Sequence, residues 1–343
     1  MKTTAQKLLI IALTLLMGAS CTNEDWEFPD FDYTTSYFPY QYPVRTLILG
    51  ECDYDNTNDK NGRFIISAAM GGVYENKEDV FVNFEIDESL TNNLRIKGTT
   101  TDIKPLPREY YTLSNNSQIV IPKGKYNGGI TVQLTDAFFE DSLSYSTNYV
   151  IPLVIVSAST DSVLRGNPSV DNADRRDETQ WAVAPKDFTL FGVKYINPYH
   201  GKYLLRGKSV TKDATGAVIG ENVYHQPYVE RDIVTSLSTC GRNELLYSES
   251  IRVADGVSPG AFEACITVDD EGNCTMVNTE SSLFQVSGRG EYVPHGDSWG
   301  GKTRNVFHLE YEIKDNANTY VVNDTLVFRD NTVAFEEFTP EIY

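Results

Sequence analysis

The segment GEYVPHGDSWGGKTRN, residues 290–305, brings Tyr292, His295, Asp297, Trp299 and Arg304 into one short stretch. Sugar recognition needs an aromatic ring that can lie flat on a pyranose, with Asp, His or Arg nearby to answer its hydroxyls. This is the richest such grouping in the chain, and its glycines point to a loop between two strands. A purely structural reading also exists: Trp299 folds back and plugs one end of a barrel, and its neighbours then lose their standing as a site. Trp181 carries the same ambiguity, with packing at a domain junction as its structural reading. Trp26 falls in a polar N-terminal tract and marks no site.

Catalytic patterns are absent. The chain has no HExxH, no GxSxG, no P-loop and no dinucleotide GxGxxG behind a strand. Its four histidines, His200, His225, His295 and His308, are not spaced for a metal, and His308 alternates like a strand residue. A glycosidase needs two carboxylates across a cleft, which 48 acidic residues cannot exclude, but the usual scaffolds are longer than this chain. The expectation is therefore a protein that is not an enzyme and needs no cofactor. DYDNTNDKNG, residues 53–62, offers Asp53, Asp55, Asn58 and Asp59 as oxygen ligands. Its glycine comes too late for an EF-hand loop and no closing Glu follows, so a solvated hairpin loop is expected, with no metal. Cys52, Cys240, Cys265 and Cys274 lack CxxC spacing, which argues against zinc. Cys265 and Cys274 flank the turn VDDEGN, in a register that places them off directly opposite positions and disfavours a disulfide.

The first 20 residues read as a secretory signal: Lys2 and Lys7, an apolar run from Leu8 to Met17, then Gly18, Ala19 and Ser20. Cys21 follows at once, the layout of a bacterial lipoprotein signal in which that thiol is acylated. Gly18 departs from the Leu preferred three residues before the cysteine. Glu24, Asp25, Glu27, Asp30 and Asp32 then make residues 21–35 an acidic, flexible leash. This tract resembles the one that Bacteroidetes lipoproteins carry when exported to the outer leaflet of the outer membrane. The location it implies is a lipid-anchored one facing the cell exterior.

The chain holds 29 basic and 48 acidic residues; without its first 20, which contain two lysines and no acid, the balance is 27 − 48 = −21. So acidic a surface repels nucleic acid and anionic headgroups and tolerates neutral ligands. With 41% hydrophobic residues and 21 tyrosines, the mature length can build two β-rich cores.

The elements that must position these residues read almost throughout as strands. Residues 36–156 contain SYFPYQ, RTLILGE, RFIISAAM, VFVNFEI, SQIVIP, GITVQLT and NYVIPLVIV, separated by turn signals such as Asn61-Gly62. In VFVNFEI, Val82 and Phe84 face one way, Phe81 and Asn83 the other. Such short strands suggest an immunoglobulin-like β-sandwich. Residues 157–180 are polar and read as a connector. Residues 181–343 carry longer strands, as in an antiparallel β-barrel of lipocalin-like type.

YFPYQYPVRTLILGE with ISAAMGGVYENKEDVFVNFEID resembles the opening of a DUF1735-type N-terminal domain. VKYINPYHGKY, WGGKTRNVFHLEYEI and DTLVFRD resemble a DUF4361-type C-terminal domain. Together they are similar to Bacteroidetes outer-membrane lipoproteins in the position of SusE and SusF. That resemblance implies an accessory glycan-binding protein of a polysaccharide-utilisation system, working beside a SusC/SusD-like transporter pair. A surface lipoprotein for structure or protein interaction, without its own ligand, is the alternative.

Overall fold

A computed structural model describes residues 30–331 and 333–343. The apolar run, Cys21 and Trp26 lie outside the described residues. The structure is all-β, as the alternation requires, and ends in a closed antiparallel barrel. Among the described residues the α-helices are single turns, Thr57–Lys60 and Asp136–Glu140.

The first unit is a sandwich. Its five-stranded sheet runs Ser162–Val163, Thr35–Tyr37, Arg63–Gly71, Asn127–Leu134, Tyr111–Leu113. The facing seven-stranded sheet contains Pro43–Ile48, Phe188–Ile196, Tyr149–Ala158, Val80–Ile86 and Gln118–Ile121, edged by short pieces. Alternate residues meet between the sheets: Phe64, Ile66, Ala68 and Val132 from one, Val80, Val82, Phe84 and Ile119 from the other. The run YVIPLVIV does not alternate because both faces of its strand are covered. Ile151 and Leu153 enter the sandwich core, whereas Val150 and Val154 join a second cluster with Leu94, Phe188, Leu190 and Phe338.

Four expectations about organisation change. Phe188–Ile196, assigned by sequence to the barrel, pairs antiparallel with Tyr149–Ala158 and parallel with Pro43–Ile48 in the sandwich. Its apolar residues point to both faces, which only a central strand satisfies. Residues 157–180 are not a free connector: Ser162–Val163 extends a sheet, and the segment is tied down by charge. Asp187, fully buried, pairs with Arg165 at 3.2 Å and Arg175 at 3.1 Å, while Arg176 donates to the carbonyls of Leu90 (3.2 Å) and Asn92 (2.6 Å). The C-terminal residues return to the sandwich, where Glu336–Glu337 pairs with Pro43–Ile48 and Pro340–Ile342 with Leu94–Ile96. Finally, DYDNTNDKNG stays a loop at its exposed start and ends in the Asn61-Gly62 turn, but Thr57–Lys60 within it form a helical turn. Asp59 is buried there, ion-paired with Arg45 and accepting the Ile48 amide at 3.1 Å, so it is not available to a cation.

The chain crosses between units at Asn197–His200. Asn197 is pinned there: its amide donates to Thr239 Oγ1 (3.0 Å), its side chain to the carbonyls of Gly241 (3.1 Å) and Glu244 (2.9 Å). Eight strands then close a barrel: Gly201–Asp213, Ile233–Gly241, Glu244–Ser250, Ala261–Val268, Asn273–Asn278, Gln285–Trp299, Lys302–Lys314 and Asn318–Asp330, the last pairing with the first. The barrel is filled, with Tyr203, Leu237, Tyr247, Phe262, Phe307 and Ile313 packed inside. Cys265 pairs opposite Val277, and Cys274 opposite Val268, so these two cysteines are indeed out of register.

Candidate functional site

The segment expected to be a loop is the tip of a long hairpin. Gln285–Trp299 and Lys302–Lys314 pair down to Trp299 opposite Lys302, and Gly300 and Gly301 make the turn. Both glycines have positive φ, 62° and 75°, as a two-residue type I′ turn demands. Pairing is interrupted between Val293 and Asp297, where His295 adopts φ 54°. Gly296 is needed inside this bulge, because a Cβ there would lie 2.7 Å from a Val306 methyl. The bulge bends the hairpin, and its tip lies against the sandwich. Lys302 Nζ meets Asp53 at 3.2 Å, and His295 Nε2 stands 3.6 Å from Glu51.

Between these contacts lies a cleft of about 450 Å³, walled by Glu51–Tyr54 of the sandwich and by Lys302–Asn305 and Phe328–Asn331 of the barrel. Tyr54 is 57% exposed and offers a ring at its mouth. Burial, with help from Cys52 and Asp59, holds the Tyr54 hydroxyl above its ordinary pKa, so it stays a neutral donor. The lining charges balance, with Glu51, Asp53 and Asp330 against Lys302, Arg304 and Arg329. Asn305, Asn331 and Thr303 add neutral donors and acceptors. Arg304 Nε and Asp330 Oδ1 are buried without a hydrogen-bond partner in the protein. Such a lining suits an uncharged, hydroxyl-rich ligand better than an anion or a cation.

The residues singled out by sequence divide over several places. Arg304 lines the cleft and lies 4.4 Å from the centre of the Trp299 ring. Asp297 sits opposite Arg304 in the hairpin register. Trp299 neither projects freely nor plugs the barrel. It is half-buried on the outer wall against Val306, Val327 and Leu204, with its Nε1–H donating to the Phe328 carbonyl at 3.0 Å. Tyr292 faces inward instead, against Tyr199 (4.8 Å) and Phe307 (4.9 Å), and burial pushes its hydroxyl pKa well up. Trp181 is remote from the cleft lining; its Nε1–H donates to the Asp174 carbonyl at 2.7 Å within the tied-down segment. Glu51, Tyr54, Phe328, Arg329 and Asp330 escaped the sequence reading as site residues, and Asp53 entered it only as an oxygen ligand for a cation, a reading set aside there. The one local signal was an aromatic among acids, Tyr54 in CDYDN.

A family model described as DUF5627, a domain of unknown function, matches residues 198–332, beginning inside the crossover. A second model, described as an N-terminal domain, matches residues 31–162. A solved structure from Bacteroides ovatus, described as of unknown function, is 38% identical and superposes with a TM-score of 0.84, covering 91% of this chain and 100% of its own. This chain belongs to that protein's family. The C-terminal match is thus to DUF5627, where the sequence resemblance had pointed to a DUF4361-type domain. A Bacteroides ovatus multidomain protein including DUF1735 aligns at 13% identity and TM-score 0.44, over 86% of this chain and 94% of its own. An auxiliary nutrient binding protein from Bacteroides thetaiotaomicron aligns at 14% and 0.41, over 83% and 90%. No curated protein matches the chain.

Proposed function

We propose that this family member is a non-catalytic glycan-binding protein that holds a neutral oligosaccharide in the cleft between sandwich and barrel. The observation that carries the reading is the charge-balanced lining beneath the exposed Tyr54 ring. Tyr54 stacks on a pyranose face, and Arg304, Asn305 and Asn331 take hydroxyls. A binding role without catalysis is supported by the ion pairs of two cleft carboxylates, Asp53 with Lys302 and Asp330 with Arg329. The signal-like N-terminus and Cys21 support a lipid anchor in the outer membrane, facing outward, and the resemblance to SusE- and SusF-position proteins supports work beside a transporter pair.

The scaffold alternative finds less support in the sandwich, where a strand-adding partner would meet only the edges Ser162–Val163, Tyr111–Leu113, Glu336–Glu337 and Gln118–Ile121, each of four residues or fewer. The longer edge is in the barrel, where Val218–Tyr224 pairs on one side only, with Gly201–Asp213. A glycan-array screen tests the proposal: retention of at least one neutral glycan is expected, and a blank array across neutral and charged glycans contradicts it. Fatty-acid labelling tests the anchor separately, with label expected on the wild type and lost in Cys21→Ala.

A further inference from the structure

Three side chains on the outer wall of the barrel, none of which lines the cleft, converge without any role in the proposed glycan site. Cys240, Glu244 and Cys265 place their two sulfurs and a carboxylate oxygen within 4.8 Å of one another. The sulfurs are 4.0 Å apart and both cysteines are half-buried. The sequence could not show this, since no two of the three fall in a zinc spacing. They come from three successive strands, Ile233–Gly241, Glu244–Ser250 and Ala261–Val268, with the Glu244 strand in the middle.

That placement argues against a disulfide and for a bridging ion. Neighbouring strands lie about 4.8 Å apart, so Cys240 and Cys265, two strands removed, have backbones roughly 9.5 Å apart. A disulfide cannot span more than about 7 Å between Cα atoms without moving the backbone. The sulfurs approach only because both side chains lean over the middle strand. In tetrahedral coordination with Zn–S of about 2.3 Å, two thiolates stand about 3.8 Å apart, close to the separation seen. The carboxylate is available as well. Among the described residues Glu244 has no ion pair, and its Oε2 lies over Gly241, where a Cβ would come within 2.8 Å.

We propose that Cys240, Glu244 and Cys265 form a binding site for a thiophilic divalent cation of the zinc(II) class, with a fourth position open to water. Binding passes the two thiol protons to solvent, so affinity rises with pH. The site adjoins the seam between units. Arg242 reaches Asp136 (3.3 Å) and Glu140 (3.4 Å) of the sandwich, and Asn197 bonds the carbonyls on either side of the Arg242–Asn243 turn. An ion there fastens three barrel strands at the point where the sandwich is attached.

The test is titration of the reduced, full-length chain with cobalt(II), read by the sulfur-to-cobalt charge-transfer absorption. One equivalent is expected to bring the band up, and zinc(II) to abolish it. Cys240→Ser and Cys265→Ser should each remove the band, and Cys52→Ser should keep it. Glu244→Gln, at an exposed position, should weaken binding by at least the roughly tenfold that losing even an outer-shell partner costs. Absence of the band in the wild type overturns the proposal. So does a band that survives loss of both cysteines, or a Cys240–Cys265 disulfide found by mass in unreduced protein.

Discussion

Asp324 offers a quantitative test of the barrel interior. Its carboxylate is buried and accepts hydrogen bonds from Tyr224, from Tyr311 at 2.6 Å and from Tyr247 at 3.3 Å. A cation that acts on it is Arg252, which lies over the Tyr224 ring at 5.2 Å and is itself paired with Glu249 at 3.2 Å. Burial outweighs the three hydroxyls and Arg252, and the Asp324 pKa rises from 3.8 to about 6. A raised carboxyl pKa means that the folded state holds the proton more tightly than the unfolded one. Below about pH 4 both states are protonated and Asp324 carries no penalty; stability then falls as pH rises through 6 and levels off above it. The difference between 3.8 and about 6 corresponds to about 3 kcal/mol. Asp324→Asn keeps the shape and cannot ionise. Urea unfolding of both proteins from about pH 3 to pH 8 should therefore show the wild type losing about 3 kcal/mol relative to the variant, nearly all of it before pH 7. Parallel pH profiles would refute the reasoning. A wild type that gains on the variant with rising pH would show that the three hydroxyls outweigh burial.

Two further substitutions probe the hairpin and the tied-down segment. Trp299→Ala should cost about 2–4 kcal/mol, roughly half the value for a fully buried Trp plus the orphaned Phe328 carbonyl; a variant of unchanged stability that no longer binds glycan would instead make the ring the platform. Asp187→Ala leaves two guanidinium groups without their carboxylate and should cost about 3 kcal/mol, the low end for a broken buried pair because both arginines are partly exposed. Limited proteolysis should then cut within residues 161–187, which resist in the wild type; an equally resistant variant would contradict the account.

Local periodicity made the all-β class legible, and it placed Val82 and Phe84 in the core and Phe81 outside. Pairing over long distances was not legible. Phe188–Ile196 reads as apolar strand anywhere, and only its register beside Val44 to Ile48 assigns it to the sandwich. Residues 157–180 looked like a linker because they are polar, yet polarity also serves ion pairs such as that of Arg175 with Asp187. At the hairpin, Gly300-Gly301 was a turn signal in plain view, but the surrounding Pro, Gly and Asp residues masked the strands. The cleft shows the same limit. Arg304 was found because its neighbours looked like a site, whereas Arg329 joins it only through the pairing of two barrel strands and Tyr54 only after the two units dock.

Calorimetric titration of an array-selected glycan into the wild type, Tyr54→Ala and Arg304→Ala tests the central claim most directly, with urea unfolding run beside it. The account predicts that each substitution weakens binding by about 2 kcal/mol, on the order of thirtyfold, and that Tyr54→Ala leaves stability essentially unchanged because its ring is exposed. Full affinity in both variants would place the glycan elsewhere and contradict the assignment of the cleft.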